Sequence, residues 1–192
     1  MKSTAAFILV IVLATKAWAA SQPPTKILTK IDKLPVALND NFQFRKTKLF
    51  YLDPNPPKAK KSVAQALSGG YNNPNNPTAG IAEASIGFER TYRLYGAISA
   101  ADRNQLFGNY LDFFWKAKRP ANVTVRLEYR QEKLRAFVQA REISYSNATG
   151  NNKTEFAIIG DDYSQDGRVI AWRCLLIENG KIVAENRSYL WE

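Results

Sequence analysis

The stretch ANVTVRLEYR, residues 121–130, alternates almost without a break. Val123, Val125, Leu127 and Tyr129 take one side, and Thr124, Arg126, Glu128 and Arg130 take the other. A period of two fits an extended strand with one buried face. Similar segments follow one another at 85–98, 109–117, 134–145, 154–160, 168–177 and 181–191. In SIGFERTYRLYGAI, for example, Ile86, Phe88, Arg90, Tyr92 and Leu94 share a face, and in NYLDFFWKA Leu111, Phe113 and Trp115 oppose Tyr110, Asp112 and Phe114. About seven short strands with turn signals between them predict an all-β fold, an antiparallel β-sandwich. Ser99 and Asp102 form a capping signal for one short helix closed at Gly108. Asn179-Gly180 tolerates the positive φ of a type I′ turn and predicts a hairpin.

The front of the chain reads differently. Lys2, the apolar run AAFILVIVLA and the small residues of Ala17-Trp18-Ala19 have the layout of a cleaved signal peptide over 1–19. That apolar run is too short for the ~30 Å of a bilayer core, so no transmembrane segment is expected in the mature chain, which is secreted, periplasmic or displayed at the cell surface. Without residues 1–19 there are 25 basic and 17 acidic side chains over 173 residues, a net charge of +8. A balance of this sign favours anionic partners or simply a solvated basic surface. Residues 20–57 read as an N-terminal arm with one strand, 58–84 as a Pro/Asn/Gly-rich linker holding one short helix (SVAQAL), and 85–192 as the β-sandwich domain. In the arm strand FQFRKTKLFYL, unbroken alternation puts Phe42, Phe44, Lys46, Lys48, Phe50 and Leu52 on one side. That pattern suits an edge strand, or one that completes a neighbour's sheet.

From Tyr110 to Trp191 the pattern of an aromatic strand ending at Trp115, the VTVRLEYR strand and a closing hairpin resembles immunoglobulin-like and fibronectin-type-III-like modules. The tail GDDY…DGRVIAWR…NG…SYLW is similar to uncharacterised secreted bacterial proteins. The resemblance implies a fold and supplies no catalytic residues.

No histidine is present, which excludes Ser-His-Asp and Cys-His hydrolases, His-ligated zinc and haem, and His proton shuttles. The single cysteine cannot form an internal disulfide. On VIAWRCLLI, Cys174 shares a face with Ile170, Trp172 and Leu176, and a thiol in an apolar row is an inert core residue. Trp115, Val125, Leu127, Trp172, Cys174 and Leu176 are therefore expected in the core. Asp161, Asp162 and Asp166 are the metal candidates, calcium being the ion an oxygen-rich loop would hold, although Asp and Gly also serve turns. Glu128, Glu142 and Glu155 are the carboxylates a glycosidase would draw on, with cross-strand ion pairing as the simpler account.

Arg126, Arg130, Arg135 and Arg141 on adjacent strands, and Lys58, Lys60 and Lys61 after the arm strand, are candidate anion-binding groups. Tyr71, Tyr145 and Tyr163, in loops or at strand ends, could stack on a sugar or line an interface. The expected function is that of a non-enzymatic interaction or structural subunit of a cell-envelope or extracellular assembly. Its partners are other protein subunits, a second copy included, with Phe42, Phe44, Phe50 and Leu52 as the strand-exchange surface. A module binding carbohydrate or polyanion, such as an anionic polysaccharide, is the alternative, and a histidine-independent enzyme comes third. Nucleic acid ranks last because the chain is expected to be exported, and no cofactor is expected.

Overall fold

The computed structural model describes residues 22–55 and 86–191. The expected leader over 1–19, the helix expected for SVAQAL, and Lys58, Lys60, Lys61 and Tyr71 lie outside the described residues. The strands are β1 (Lys26–Leu28), β2 (Phe42–Leu52), β3 (Gly108–Gln131), β4 (Val138–Ile159), β5 (Val169–Glu178) and β6 (Lys181–Arg187). Three short helices accompany them: α1 over 86–93, α2 (Ala100–Asn104) and α3 (Asp161–Asp166).

The fold is all-β and antiparallel. One six-stranded sheet runs β1-β4-β3-β5-β6, and β2 also pairs with β3. Segments 109–117 and 121–130, expected as two strands, are one 24-residue strand, and the segments around 138–145 and 154–159 are likewise joined in the 22-residue β4. Both long strands are interrupted at the same level. The β3 ladder shifts register between Ala117 and Val123, around Pro120, which has no N–H to donate. On β4 the left-handed backbones of Asn147 and Gly150 lie close to that level.

The β3/β4 pair therefore runs through two layers. In the first, residues 108–117 of β3 pair with β2, and in the second, residues 124–131 pair with β5 on the same edge. The inner faces meet in one core that includes Phe42, Phe113, Trp115, Val125, Leu127, Phe156, Trp172, Cys174 and Leu176. Phe113 of the first layer meets Trp172 of the second edge to face, with ring centroids 5.2 Å apart. The two layers are thus halves of a single sheet, joined through β3 and β4.

Several local expectations hold. Asn179 and Gly180 both have positive φ and form the β5/β6 turn. Ser99 and Asp102 form a capping box at the start of α2. Gly108 opens β3 rather than closing a helix: at φ +138° its Cα lies so near the Ile158 carbonyl that a Cβ would sit 2.3 Å from the oxygen.

Three further expectations are corrected. SIGFERTYRLYGAI is helical over 86–93, because its residues also match helical spacing: Glu89 pairs with Arg93, and Phe88 stacks on Tyr92, each four residues apart. The arm is not a separate unit, since β1 and β2 belong to the same sheet as residues 108–187, and Phe42 and Leu52 are buried. Finally, β2 does not keep one phase. A bulge between Phe44 and Lys46 adds Arg45, so Phe44 faces the core with Trp115, whereas Lys46, Lys48 and Phe50 lie opposite Phe114, Asp112 and Tyr110 on the outer face.

The rest of the N-terminal segment straps the second layer. β1 pairs with Lys26 opposite Glu142 on the β4 edge, and the Asp32 carbonyl accepts from Arg126 on the outer face. Leu34 packs on Leu175, Ile177 and Ile182, and Ala37 and Asn39 donate to the Ile182 and Val183 carbonyls of β6. Further along β4, the Gln22 side-chain amide makes both bonds a neighbouring strand would make, donating to the Glu155 carbonyl and accepting from its N–H, each at 2.7 Å. Much of the exposed edge is covered in this way, which limits indiscriminate pairing.

Candidate functional site

Among the described residues β2 pairs only with β3, so its other edge has no ladder partner there, and β6 beyond Val183 has none on its outer side. These two edges face each other across a cleft of about 680 Å³. Phe42, Phe44, Trp172, Val183 and Ala184 supply its apolar lining, and Asp40, Arg45, Lys46, Glu185 and Arg187 surround it with charge. The bulge at Arg45 makes the site: it keeps Phe44 against the core while turning the next residues outward. The side-chain amide of Asn186 donates to Thr47 Oγ1 at 2.7 Å and ties the two edges together, and Asn39 caps the turn into β2 by accepting from the Asn41 N–H. Chemically the cleft sets two strand edges that lack a ladder partner among the described residues beside an aromatic floor. That combination suits an extended peptide, whose main chain can satisfy the edge while alternate side chains enter the floor.

The candidates from the sequence are placed as follows. Trp115, Val125, Leu127, Trp172, Cys174 and Leu176 are all buried. The Cys174 thiol lies opposite Leu127, and burial pushes its pKa well above the usual range, which leaves it unreactive. Of the strand-exchange residues, Phe42 and Leu52 are buried in cis, Phe44 lines the cleft, and Phe50 packs on Tyr110 of the outer face. Exchange of β2 into a neighbour is therefore not the arrangement found.

The arginines do not form a free stripe. Arg126 Nε donates to Glu142 at 2.6 Å, and Arg173 Nε donates to the buried Glu128 at 2.7 Å. Arg130 lies over the ring of Trp191 with its Nε buried and unpartnered, and Arg173 lies over the same ring, so the C-terminal Trp191 covers this part of the outer face. Arg141 points instead to the inner end of the sheet, where it donates to the Tyr129 hydroxyl, the Ala157 carbonyl and Asp162. Of the four candidate arginines, Arg135 alone is exposed with no ion pair among the described residues, in the β3/β4 turn at φ 53°.

The acidic loop closes that same end. Gln131 donates to the Asp162 and Gly167 carbonyls, and Gln139 donates to Asp166. Asp162 and Asp166 are thus anchors for α3, and among the described residues no group of three or more potential ligands is placed to hold a metal ion. Tyr163 shares a hydrogen bond with Tyr51, whose own hydroxyl is pushed up by burial and by that bond. Tyr145 packs against Trp115 and continues a relay in which Trp115 Nε1 donates to Thr154 and Thr154 to Tyr145, both at 2.9 Å, and the Tyr145 hydroxyl donates to the Lys153 carbonyl at 3.3 Å. The glycosidase carboxylates are divided between layers: Glu128 and Glu142 lie in the second, and Glu155 lies in the first, held by Arg93 and Lys153.

The sequence reading missed Lys153. It donates to Asp112 at 2.9 Å and Glu155 at 3.0 Å, two carboxylates that stand directly opposite each other on β3 and β4. Burial raises the Asp112 pKa. At Glu155 burial also acts upward, but hydrogen bonds from Arg93 and Lys153 outweigh it and the net shift is down. Nothing local in the sequence signals this cluster, which requires the β3/β4 register. No family model matches the chain, and neither a curated protein nor a solved structure matches it.

Proposed function

We propose that the chain is an exported, non-enzymatic interaction module of a cell-envelope or extracellular assembly, and that it acts as a strand acceptor. A partner's extended segment lies in the cleft between β2 and β6, pairs with the free edge of β2 and seats alternate apolar side chains on Phe42, Phe44 and Trp172. The observation that carries this reading is that, among the described residues, two strand edges without ladder partners face each other over an aromatic floor, in a fold that covers other edges with its own N-terminal strap. The leader-like N-terminus supports export.

Selection from a displayed decapeptide library tests it. Selected peptides should alternate apolar residues with period two and lose at least tenfold in affinity for a folded Phe44→Ser variant. Enriched peptides without that alternation, or binding indifferent to Phe44, would remove the cleft from consideration.

A further inference from the structure

Helix α1 is inverted. Its charged side chains turn toward the sheet: Arg93 lies 4.1 Å over the Tyr110 ring and pairs with Glu89 and Glu155, and Arg90 donates to the Asp53 carbonyl. Phe88 and Tyr92 point the other way, stacked at 6.4 Å, and with Tyr95 they are 71%, 64% and 90% exposed. A surface helix ordinarily buries its rings and exposes its charges, and rings held in water mark a surface that meets something apolar.

The sheet face on which α1 sits also carries free cations. Lys46 and Lys153 are the cross-strand neighbours of Phe114, Lys48 lies 5.7 Å over its ring, and Lys116 follows two residues along β3. Lys153 is neutralised by Asp112 and Glu155, but Lys46, Lys48 and Lys116 make no ion pair among the described residues. Cross-strand and next-but-one spacings on a sheet are about 5–7 Å, so the three lysines form a row on the same sheet face, running along the strands away from the Tyr110 level where α1 sits.

We propose that this face docks on an anionic bilayer surface, with Phe88, Tyr92 and Tyr95 entering the headgroup region and Lys46, Lys48 and Lys116 meeting lipid phosphates. Charge complementarity selects the anionic surface. Rings with a polar tip, such as tyrosine, suit the boundary between headgroup and acyl chain, whereas an acidic polymer in water would need only the lysines. Among the described residues no helix is long and apolar enough to cross a membrane. The docking face lies apart from the peptide cleft except at Lys46, which borders both.

Vesicle flotation with the chain from Ala20 onward, which keeps every described element and lacks the apolar leader, tests the inference. The protein should float with vesicles of phosphatidylglycerol mixed with phosphatidylcholine and stay behind with phosphatidylcholine alone. Lys48→Gln with Lys116→Gln should weaken partitioning on the order of 30-fold. Phe88→Ser with Tyr92→Ser should weaken it at both low and high salt, and circular dichroism should show each variant folded. Lys46 stays in place so that peptide selection at the cleft reads independently. Equal flotation with neutral vesicles, or binding to the anionic vesicles unchanged in either folded variant, would overturn the proposal. So would retention on dextran sulfate, with no flotation, that the ring substitutions leave unaltered, which would indicate an acidic polymer instead.

Discussion

The contact between Phe113 and Trp172 is where the two halves of the sheet hold each other, and its strength can be worked out before it is measured. Phe113 is fully buried in the first layer and Trp172 nearly so in the second, at 5.2 Å and 66° between rings. Truncating either to alanine is expected to cost about 3–5 kcal/mol, and a domain of this size has only about 5–15 kcal/mol in all, so a double alanine variant would report unfolding and nothing else. Leucine keeps most of the buried volume while removing the ring geometry. Phe113→Leu and Trp172→Leu should each cost about 1–3 kcal/mol. An edge-to-face pair contributes about 0.5–1.5 kcal/mol beyond burial, so the double variant should be less destabilised than the two singles summed by that amount. Urea denaturation with a slope of about 1–3 kcal/mol per M resolves such a term if the slope is constant across the four proteins. Additivity to within about 0.3 kcal/mol would mean that the rings do not touch, and the packing of one half-sheet on the other would be refuted.

Cys174→Ser should cost about 1–3 kcal/mol, less than Trp172→Ala, because a hydroxyl replaces a fully buried thiol, and peptide binding at the cleft should persist. Native-state alkylation of the thiol should proceed only as fast as the protein opens, and rapid labelling would contradict its burial. Gly108→Ala should lower stability by more than about 1 kcal/mol, since the new Cβ would meet the Ile158 carbonyl at 2.3 Å, and an unchanged urea midpoint would contradict that approach. Asp112 and Glu155 act in opposite directions with pH. The raised pKa of Asp112 means that the folded state keeps a proton the unfolded chain has released, so this group lowers stability as pH rises above ~4; the lowered pKa of Glu155 adds stability above its unfolded value that is lost on acidification. Asp112→Asn should therefore gain stability relative to the parent as pH rises from 4 toward 7, and a constant difference across that range would count against the buried carboxylate.

Local chemistry was legible in the sequence. ANVTVRLEYR alternates because one face is core, Asn179-Gly180 makes its turn by backbone preference, and Ser99 with Asp102 caps α2; each depends on residues close together in the chain. What depended on register was not legible. One inserted residue, Arg45, changes the phase of β2, and alternation alone cannot report where an extra residue sits. Phe88 and Tyr92 satisfy both a period of two and a spacing of four, so the segment became a strand on paper and a helix in the fold. The continuity of β3 through Pro120 and of β4 through Asn147 and Gly150 was hidden by residues that usually end strands. The arginines were grouped by sequence proximity, whereas their partners, Glu142 for Arg126, Glu128 for Arg173 and Asp162 for Arg141, are set by cross-strand pairing. The cleft was invisible for the same reason: Phe44 and Trp172 lie far apart in the chain and meet only when the sheet folds over.

β2 is an integral strand: its inner edge belongs to β3 of the same molecule, and its outer edge has no ladder partner among the described residues. Amide hydrogen exchange along Phe42–Leu52, followed as the protein is diluted and its mass is tracked by light scattering, tests this directly. Protection at the β3-facing amides that stays constant down to a dilute monomer, with fast exchange at the cleft-facing amides, is the predicted result. Protection that disappears as an oligomer dissociates would show that β2 is supplied between molecules, and the acceptor cleft would have to be abandoned.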